Sequence, residues 1–309
     1  MSKVRVAIAQ AEVAPTLDAG LEKTRSLARQ VARDGAKLVA FAETWLPGYP
    51  AWLDVCRDAG IWNNPSVKAE YARMADNSVV VDGESGRALG SIAREAGITM
   101  VVGVVERVGR GPARGTLFNS LLTFTPDGSL ATHHRKLMPT YTERLVWGQG
   151  DSNGLHAADT PCGRVGGLIC WEHWMPLARQ AMHDSGEDMH IAVWPTVHEL
   201  HQVASRHYAF EGRCFVLAVG SLMRASALPE ALERHPQVTG EWVLRGGSTL
   251  VGPDGQVILG PVFEREEMLV ADIDLGRVRE ESMTLDVSGH YARPDCFEFR
   301  PVLRPRPTV

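Results

Sequence analysis

The chain has 309 residues, 44% hydrophobic and 22% charged, enough to bury a full core in one large domain or two ordinary ones. A formal net charge of -5, with acidic and basic residues interspersed, leaves no basic stripe for a phosphate backbone and argues against nucleic acid as a partner. The start, MSKVRVAIAQ, lacks the apolar core and cleavage site of a signal peptide, and no apolar run reaches the ~20 residues of a membrane span, so the expected location is the cytoplasm with no membrane partner.

Val4 to Ala9 reads as a strand, and Leu17, Leu21, Thr24, Leu27, Ala28 and Val31 then share a helical face that stops at Asp34-Gly35. Lys37 to Ala42 is a second strand ending at Glu43, followed by the aromatic, Pro/Gly-punctuated loop TWLPGYPAW. A helix over Ser85 to Ala96 and strands over Ile98 to Glu106 and Leu117 to Phe124 follow. The turn Pro126-Asp127-Gly128 folds the chain back into Ser129 to Arg135. The second half repeats this grammar: a strand up to Cys170, a helix Leu177 to Asp184, a strand His190 to Trp194, a helix around His201 to Arg213, and a strand Cys214 to Ser221. SLLTFTPDGSLATHH and STLVGPDGQVILGP share a strand, a PDG turn and a strand, which points to an internal two-fold repeat. With no low-complexity linker, the expectation is one α/β domain over 1–309 with a short tail from about 296, its two sheets face to face and helices outside.

Several motifs fail on spacing. His198-Glu199-Leu200-His201 resembles a zinc-protease helix, but HExxH needs its second histidine where Gln202 stands. Gly109, Gly111 and Gly115 are interrupted by Pro112 and open no periodic helix, so they read as a loop rather than a phosphate cradle. Ser288-Gly289-His290 lacks nucleophile-elbow glycines. The five cysteines are odd in number and scattered, with no CxxC pair, so neither a disulfide framework nor a metal site is expected.

Glu43, Lys136 and Cys170 each end a predicted strand, where α/β folds gather their ligand loops. Singly, each has a plain structural reading: a loop ion pair, a solvated strand end, a small core residue. Together they supply a base, a cation and a nucleophile. A thiol with its ordinary pKa of about 8.5 needs a base or cation nearby to react at neutral pH. Glu43 suits the first role and Lys136 the second, with Lys136 and the Trp171 backbone N–H available as donors to charge developing on an attacked carbonyl or nitrile.

Here the sequence resembles the nitrilase superfamily of carbon-nitrogen hydrolases, through FAETWLPGYPAW around Glu43, HRKLMPTYTERLVWGQGD around Lys136 and GGLICWEHWMPLAR around Cys170. RHYAFEGRCFVLA and GHYARPD extend the resemblance over nearly the whole chain, and Cys-Trp-Glu-His is similar to the nitrilase branch. The resemblance implies a four-layer αββα sandwich, a Glu43–Lys136–Cys170 triad with Glu143 as a second acid, no cofactor, and hydrolysis of a small-molecule nitrile to acid and ammonia. It also implies a homodimer or dimer-based oligomer joined through the helices over 177–184 and 201–213. An amidase or carbamoylase with the same triad is the alternative activity, and a silent scaffold a third.

Residue by residue, Glu143 reads equally as an ion-pair partner of Arg144 or Arg135. Glu172 and His173 read as orienting groups rather than the base. Trp45, Tyr49, Trp52, Trp147, Trp171, Trp174 and Trp194, with His173 beside them, are expected to line an aromatic pocket suited to an aliphatic or arylaliphatic nitrile. GQGDSNGL departs from the family's GxGDGSGL at Ser152 and Asn153, which bears on the shape of that loop.

Overall fold

Strand β1 (Lys3–Gln10) turns from half-exposed to fully buried along its length, and β2 (Leu38–Phe41) is buried throughout. Between them, α1 (Leu17–Arg33) starts where Thr16 accepts a hydrogen bond from the Ala19 N–H (3.3 Å), and its dipole is matched by Asp18 in the first turn and Arg33 in the last. The side chains of β2 alternate: Leu38 and Ala40 face one core, Val39 and Phe41 the other. A strand buried on both faces is sandwiched between layers. The computed structural model describes residues 3–303 and 306.

The chain continues through α2 (Trp52–Val55), α3 (Pro65–Asp76), α4 (Glu84–Ala96), β3 (Thr99–Arg107), β4 (Leu117–Phe124) and β5 (Leu130–Arg135). After β6 (Ala158–Thr160) come β7 (Gly163–Ile169), α5 (Pro176–Asp184), β8 (Met189–Trp194), α6 (Glu199–Gly212), β9 (Phe215–Gly220), β10 (Leu222–Arg224), β11 (Trp242–Val251), β12 (Val257–Phe263), β13 (Glu267–Asp274) and α7 (Gly276–Ser282). The described strands form two sheets, β13-β1-β2-β3-β4-β5 and β10-β11-β9-β8-β7-β6, with β12 beside β11.

In the first, β1, β2 and β3 run parallel and β4 and β5 return antiparallel; in the second, β7, β8 and β9 run parallel and β11 and β12 return antiparallel. The two halves thus share one topology, as the paired PDG turns indicate. In both turns the aspartate accepts from a backbone N–H two residues on, Ser129 (3.0 Å) and Gln256 (3.1 Å), and the glycine takes a positive φ, 84° at Gly128 and 74° at Gly255.

One core lies between the sheets, where Val6, Ile8, Leu38 and Leu121 meet Val165, Ile191 and Leu217, and it continues to Ala178, Met182 and Tyr208 of α5 and α6. A second core packs α1 and α4 on the outer face of the first sheet. Helix, sheet, sheet, helix is the expected αββα order. Among the described residues no helix is long and apolar enough to cross a membrane.

Six of these elements go beyond the sequence reading: α2, α3, β6, β10, β13 and α7. The helix α3 follows Asn64, whose side chain accepts from the Ser66 N–H (2.9 Å), with Pro65 in the first turn; this start signal was present in the residues. The short α2 sits inside the aromatic loop. And β13 pairs antiparallel with β1 from Lys3–Asp274 to Gln10–Glu267, so the late strand closes the edge of the early sheet.

Candidate active site

Glu43 follows β2, Lys136 follows β5 and Cys170 follows β7, and the folding of the two sheets onto one another brings them into one buried cluster with Glu143. The Lys136 ammonium donates to Glu43 Oε1 (3.1 Å) and to both Glu143 oxygens (3.0 and 2.7 Å). Asn119 on β4 holds two members at once: its amide nitrogen donates to Glu43 Oε1 (2.7 Å) and its backbone carbonyl accepts from the Lys136 N–H (2.8 Å). Tyr49 donates its hydroxyl to Glu143 Oε1 (3.0 Å). Glu43 Oε2 alone among the four carboxylate oxygens lacks a hydrogen-bond partner among the described residues, which leaves it able to take a proton.

Backbone strain is concentrated around these groups. Cys170 itself is left-handed (φ 53°), as are Thr44 directly after Glu43 (φ 47°) and Tyr141 two residues before Glu143 (φ 43°). Such non-glycine conformations cost about 1–3 kcal/mol each and persist only where surroundings enforce them. Around Cys170 the enforcing group is Glu172, which accepts from the backbone N–H groups of Ile169 (2.7 Å) and Leu137 (2.8 Å) and from His134 (2.8 Å). One carboxylate therefore ties the Cys170 turn to the strand end that carries Lys136. Burial works against its charge, but these donors hold its pKa below the ordinary carboxylate range. Glu143 is fixed differently: its Oε2 accepts from the Thr140 N–H (2.7 Å) in a Thr140-x-x-Glu143 capping box over a short helical turn.

Two carboxylates share one ammonium, and the electrostatics follow from that imbalance. Burial first, and then repulsion from Glu143, raise Glu43 to about 7 against the pull of Lys136 and Asn119. Burial works against the charge on Lys136, but Glu43, Cys170 and Glu143 outweigh it and keep the ammonium protonated, well above the ordinary lysine value. The Cys170 thiol is pushed well up by burial and by Glu43, opposed by Lys136 and by the hydrogen bond from the Trp171 backbone N–H. The site at rest thus holds a neutral thiol beside a carboxylate poised to accept its proton near neutral pH.

Above the cluster opens a cavity of about 820 Å³ with Cys170 and Glu143 at its floor and Tyr49, Trp171, Trp174, Tyr141, Met138 and Met175 on its walls. Of the expected aromatic residues, Tyr49, Trp171 and Trp174 line this cavity; Trp45, Trp52, Trp147, Trp194 and His173 do not. Trp52 packs with Leu53, Cys56 and Met74 beneath the loop. Trp194 is fully buried, with His173 stacked on it at 4.6 Å, and the His173 ring turns away from the cleft toward the Cys170 carbonyl (2.7 Å). Closeness in sequence to the motifs does not set the face: α2 buries Trp52, strand alternation in β8 buries Trp194, and the turn after Cys170 sends His173 inward.

Glu143 pairs with Lys136 rather than with either arginine; Arg135 instead binds Glu106, and Arg144 donates to the Pro139 carbonyl. His198 and His201, set aside as metal ligands, line the cavity's far side. The altered GQGDSNGL loop keeps the glycines that matter: a side chain on Gly150 would collide with the Arg135 and Lys136 carbonyls, and one on Gly154 with His134. Sequence reading also missed Asn119, which carried no signal beyond a polar residue in an apolar strand, and the capping box of Glu143, which was readable as Thr-x-x-Glu.

Comparison with known proteins identifies the family and supports the fold. The carbon-nitrogen hydrolase family model matches residues 5–281. An aliphatic nitrilase of Sinorhizobium fredii (strain HH103) is 39% identical over 96% of this chain and 95% of its own, and nitrilase 1 of Arabidopsis thaliana 34% over 99% and 89%. In fold, a carbon-nitrogen hydrolase from Helicobacter pylori G27 superposes with a TM-score of 0.66 at 20% identity, covering 91% of this chain and 93% of that one. An amidase of the nitrilase superfamily from Nesterenkonia AN1 gives 0.64 at 18% identity, covering 90% and 95%. The matches span the strand ends that carry Glu43, Lys136 and Cys170, and on that ground the chain belongs to the carbon-nitrogen hydrolase family, on its nitrilase branch.

Proposed function

We propose that this chain is a nitrilase that converts an organic nitrile and two waters into the carboxylic acid and ammonia, with Cys170 as nucleophile. The observation that supports it most is the buried meeting of a neutral thiol, an unpartnered Glu43 oxygen and a protonated Lys136. Glu43 takes the thiol proton as sulfur attacks the nitrile carbon, and that proton passes to the nitrogen to give a thioimidate. Lys136 and the Trp171 N–H stabilise charge developing on nitrogen. Water, deprotonated by Glu43, adds to the thioimidate carbon. Protonation of the amine then lets ammonia leave, which gives a thioester, and a second water releases the acid and returns the thiol.

Glu143 fixes Lys136 between two carboxylates and keeps Glu43 basic. The apolar walls of Trp171, Trp174, Met138 and Met175 suit an aliphatic or arylaliphatic nitrile. The residues form one hydrolase domain with a short tail, and it acts in the cytoplasm, where its cysteines stay thiols. It works as a homodimer or dimer-based oligomer, joined across α5 and α6, where Leu177, Leu200, Val203 and Phe210 are exposed.

A panel of nitriles and the matching amides, with ammonia and product analysis, tests the activity. Acid is expected as the main product, and Cys170→Ala is expected to lower turnover by roughly 10³-fold or more with the fold intact. A covalent substrate adduct should appear in intact-mass spectra only when Cys170 is present. Faster hydrolysis of amides than of nitriles would assign the chain to the amidase alternative, and wild-type turnover by the alanine variant would remove the mechanism.

A further inference from the structure

Behind the nucleophile lies a line of buried polar groups that the chemistry above does not use. His173 Nδ1 is 2.7 Å from the Cys170 carbonyl oxygen, His173 Nε2 is 3.0 Å from His190 Nε2, His190 Nδ1 is 2.7 Å from Glu187 Oε1, and the Tyr208 hydroxyl donates to Glu187 Oε2 at 2.5 Å. All four side chains are buried. The line crosses from the turn after β7 through β8 to α6. Glu187 lies so close over β7 that a side chain on Gly166, four residues before Cys170, would collide with its carboxyl.

The proton positions follow from what each end accepts. A carbonyl only accepts, so His173 must carry its proton on Nδ1 and offer a lone pair at Nε2. His190 must then donate from Nε2, and its Nδ1 faces Glu187. A neutral His190 there needs a proton from the Glu187 carboxyl; a charged His190 supplies that proton itself. Either way, one proton is shared between Glu187 and His190, and with it every contact in the line is a hydrogen bond. Without it, His190 meets the Glu187 carboxylate with a lone pair, or turns its proton toward Glu187 and meets His173 with one. In the second case His173 re-forms its bond to His190 only by moving its proton to Nε2, which frees the Cys170 carbonyl.

We propose that His173, His190, Glu187 and Tyr208 are positioning residues whose single shared proton locks the left-handed Cys170 turn, so that loss of this proton releases the nucleophile from its attacking geometry. The surroundings favour the proton on the carboxyl. Burial raises Glu187 to about 7, with Tyr208 and His183 of α5 pulling the other way. Burial and His183 lower His190, which Glu172 partly offsets and His134 reinforces. Burial, then His190, lower His173, with His201 adding to this and Glu172 opposing it. Cys214 just before β9, Asp188 just before β8, Glu211 of α6 and Arg179 of α5, which donates to the His173 carbonyl (3.1 Å), are further ionisable groups around the line.

The sign follows: the lock is present while the proton is bound and is lost as pH rises through the value at which the Glu187–His190 pair gives it up. This inference rests on the nitrilase reading for its kinetic readout, so the test carries a second readout that needs no turnover. In Glu187→Gln the amide donates permanently to His190 and its oxygen accepts from Tyr208, a locked line that cannot titrate. Nitrile turnover by the wild type should decline about tenfold above neutral pH, the size of one lost buried hydrogen bond. Glu187→Gln should match the wild type within about twofold at pH 7 and lack that decline, since one amide replaces one protonated carboxyl of the same shape. Tyr208→Phe removes a bond that favours the carboxylate and should move the decline to higher pH.

In parallel, nitrogen NMR of labelled histidine should show His173 as the Nδ1–H tautomer at low pH, switching with pH in the wild type but not in Glu187→Gln. A decline that survives unchanged in Glu187→Gln, or a His173 tautomer that does not respond to pH, overturns the proposal. Tautomer switching in a protein that hydrolyses no nitrile would retain the lock and remove the activity.

Discussion

At the scale of single residues, the site couples a thiol pushed up by burial to a carboxylate pushed up to about 7. As the proposed base, Glu43 must be a carboxylate to accept the proton, so kcat/KM for a nitrile should rise with pH through about 7, levelling off in Glu187→Gln and falling again in the wild type as the shared proton behind Cys170 is lost. A Glu187→Gln profile flat from pH 5 to 8 would remove Glu43 as the base. Glu143→Gln gives this a second handle, since the Glu143 charge is one of the causes that raise Glu43. The glutamine still accepts from the Thr140 N–H but carries no charge, so whatever activity it retains should have its acid limb displaced to lower pH; an unmoved limb would contradict the shared-ammonium account. Glu43, Lys136 and Cys170 were legible because each ends a strand and bears an unmistakable functional group. Asn119 was not, because only pairing across β4 reveals that it faces both Glu43 and Lys136.

Among elements, the strands and helices of the two repeats were readable because apolar periodicity reports burial on one or both faces. What escaped was decided by partners far off in the chain. EMLVADID in β13 mixes acids with aliphatics, as an edge strand does, and only its pairing with β1 makes it part of the sheet. Trp52, Trp194 and His173 sit next to motif loops in sequence, yet the face on which each lands is set by its own helix, strand or turn. The packing of β3 against the Glu43 loop is equally specific: a side chain on Gly103 would collide with the Ala42 carbonyl and the Glu43 backbone. Gly103→Ala should therefore cost about 1–3 kcal/mol by overpacking, and should lower kcat beyond the loss expected from unfolded protein, because Glu43 is displaced. Chemical unfolding together with active-site titration separates the two effects; a fully active, fully stable variant would show that the loop has slack.

For the whole molecule, the helices α5 and α6 lead directly away from Cys170 and Trp194. Arg179 of α5 donates to the His173 carbonyl (3.1 Å) and binds Glu211 of α6 (2.7 Å), so the outer layer is bolted to the turn after Cys170. If subunits meet on these helices, diluting the protein below its dimer constant should lower specific activity along with mass. Light scattering and assays over one dilution series check this, and a fully active monomer would uncouple assembly from catalysis. The tail after α7 returns across the GQGDSNGL loop, where Arg306 binds Asp151 (2.7 Å) and Ser152 meets the Val302 carbonyl.

The pairing of Lys3 with Asp274 also sets a timetable for the molecule as it is made. While the ribosome is still producing the second repeat, β1 can pair with β2 but its other edge stays bare. That edge is a template for stray strands from neighbouring chains until residues 267–274 emerge. Contacts of such long sequence separation close slowly. The acid and the lysine are thus synthesised well before the cysteine, and the sheet bearing them is sealed only after it, so a nascent chain carries no assembled active centre and a long interval of exposure to aggregation.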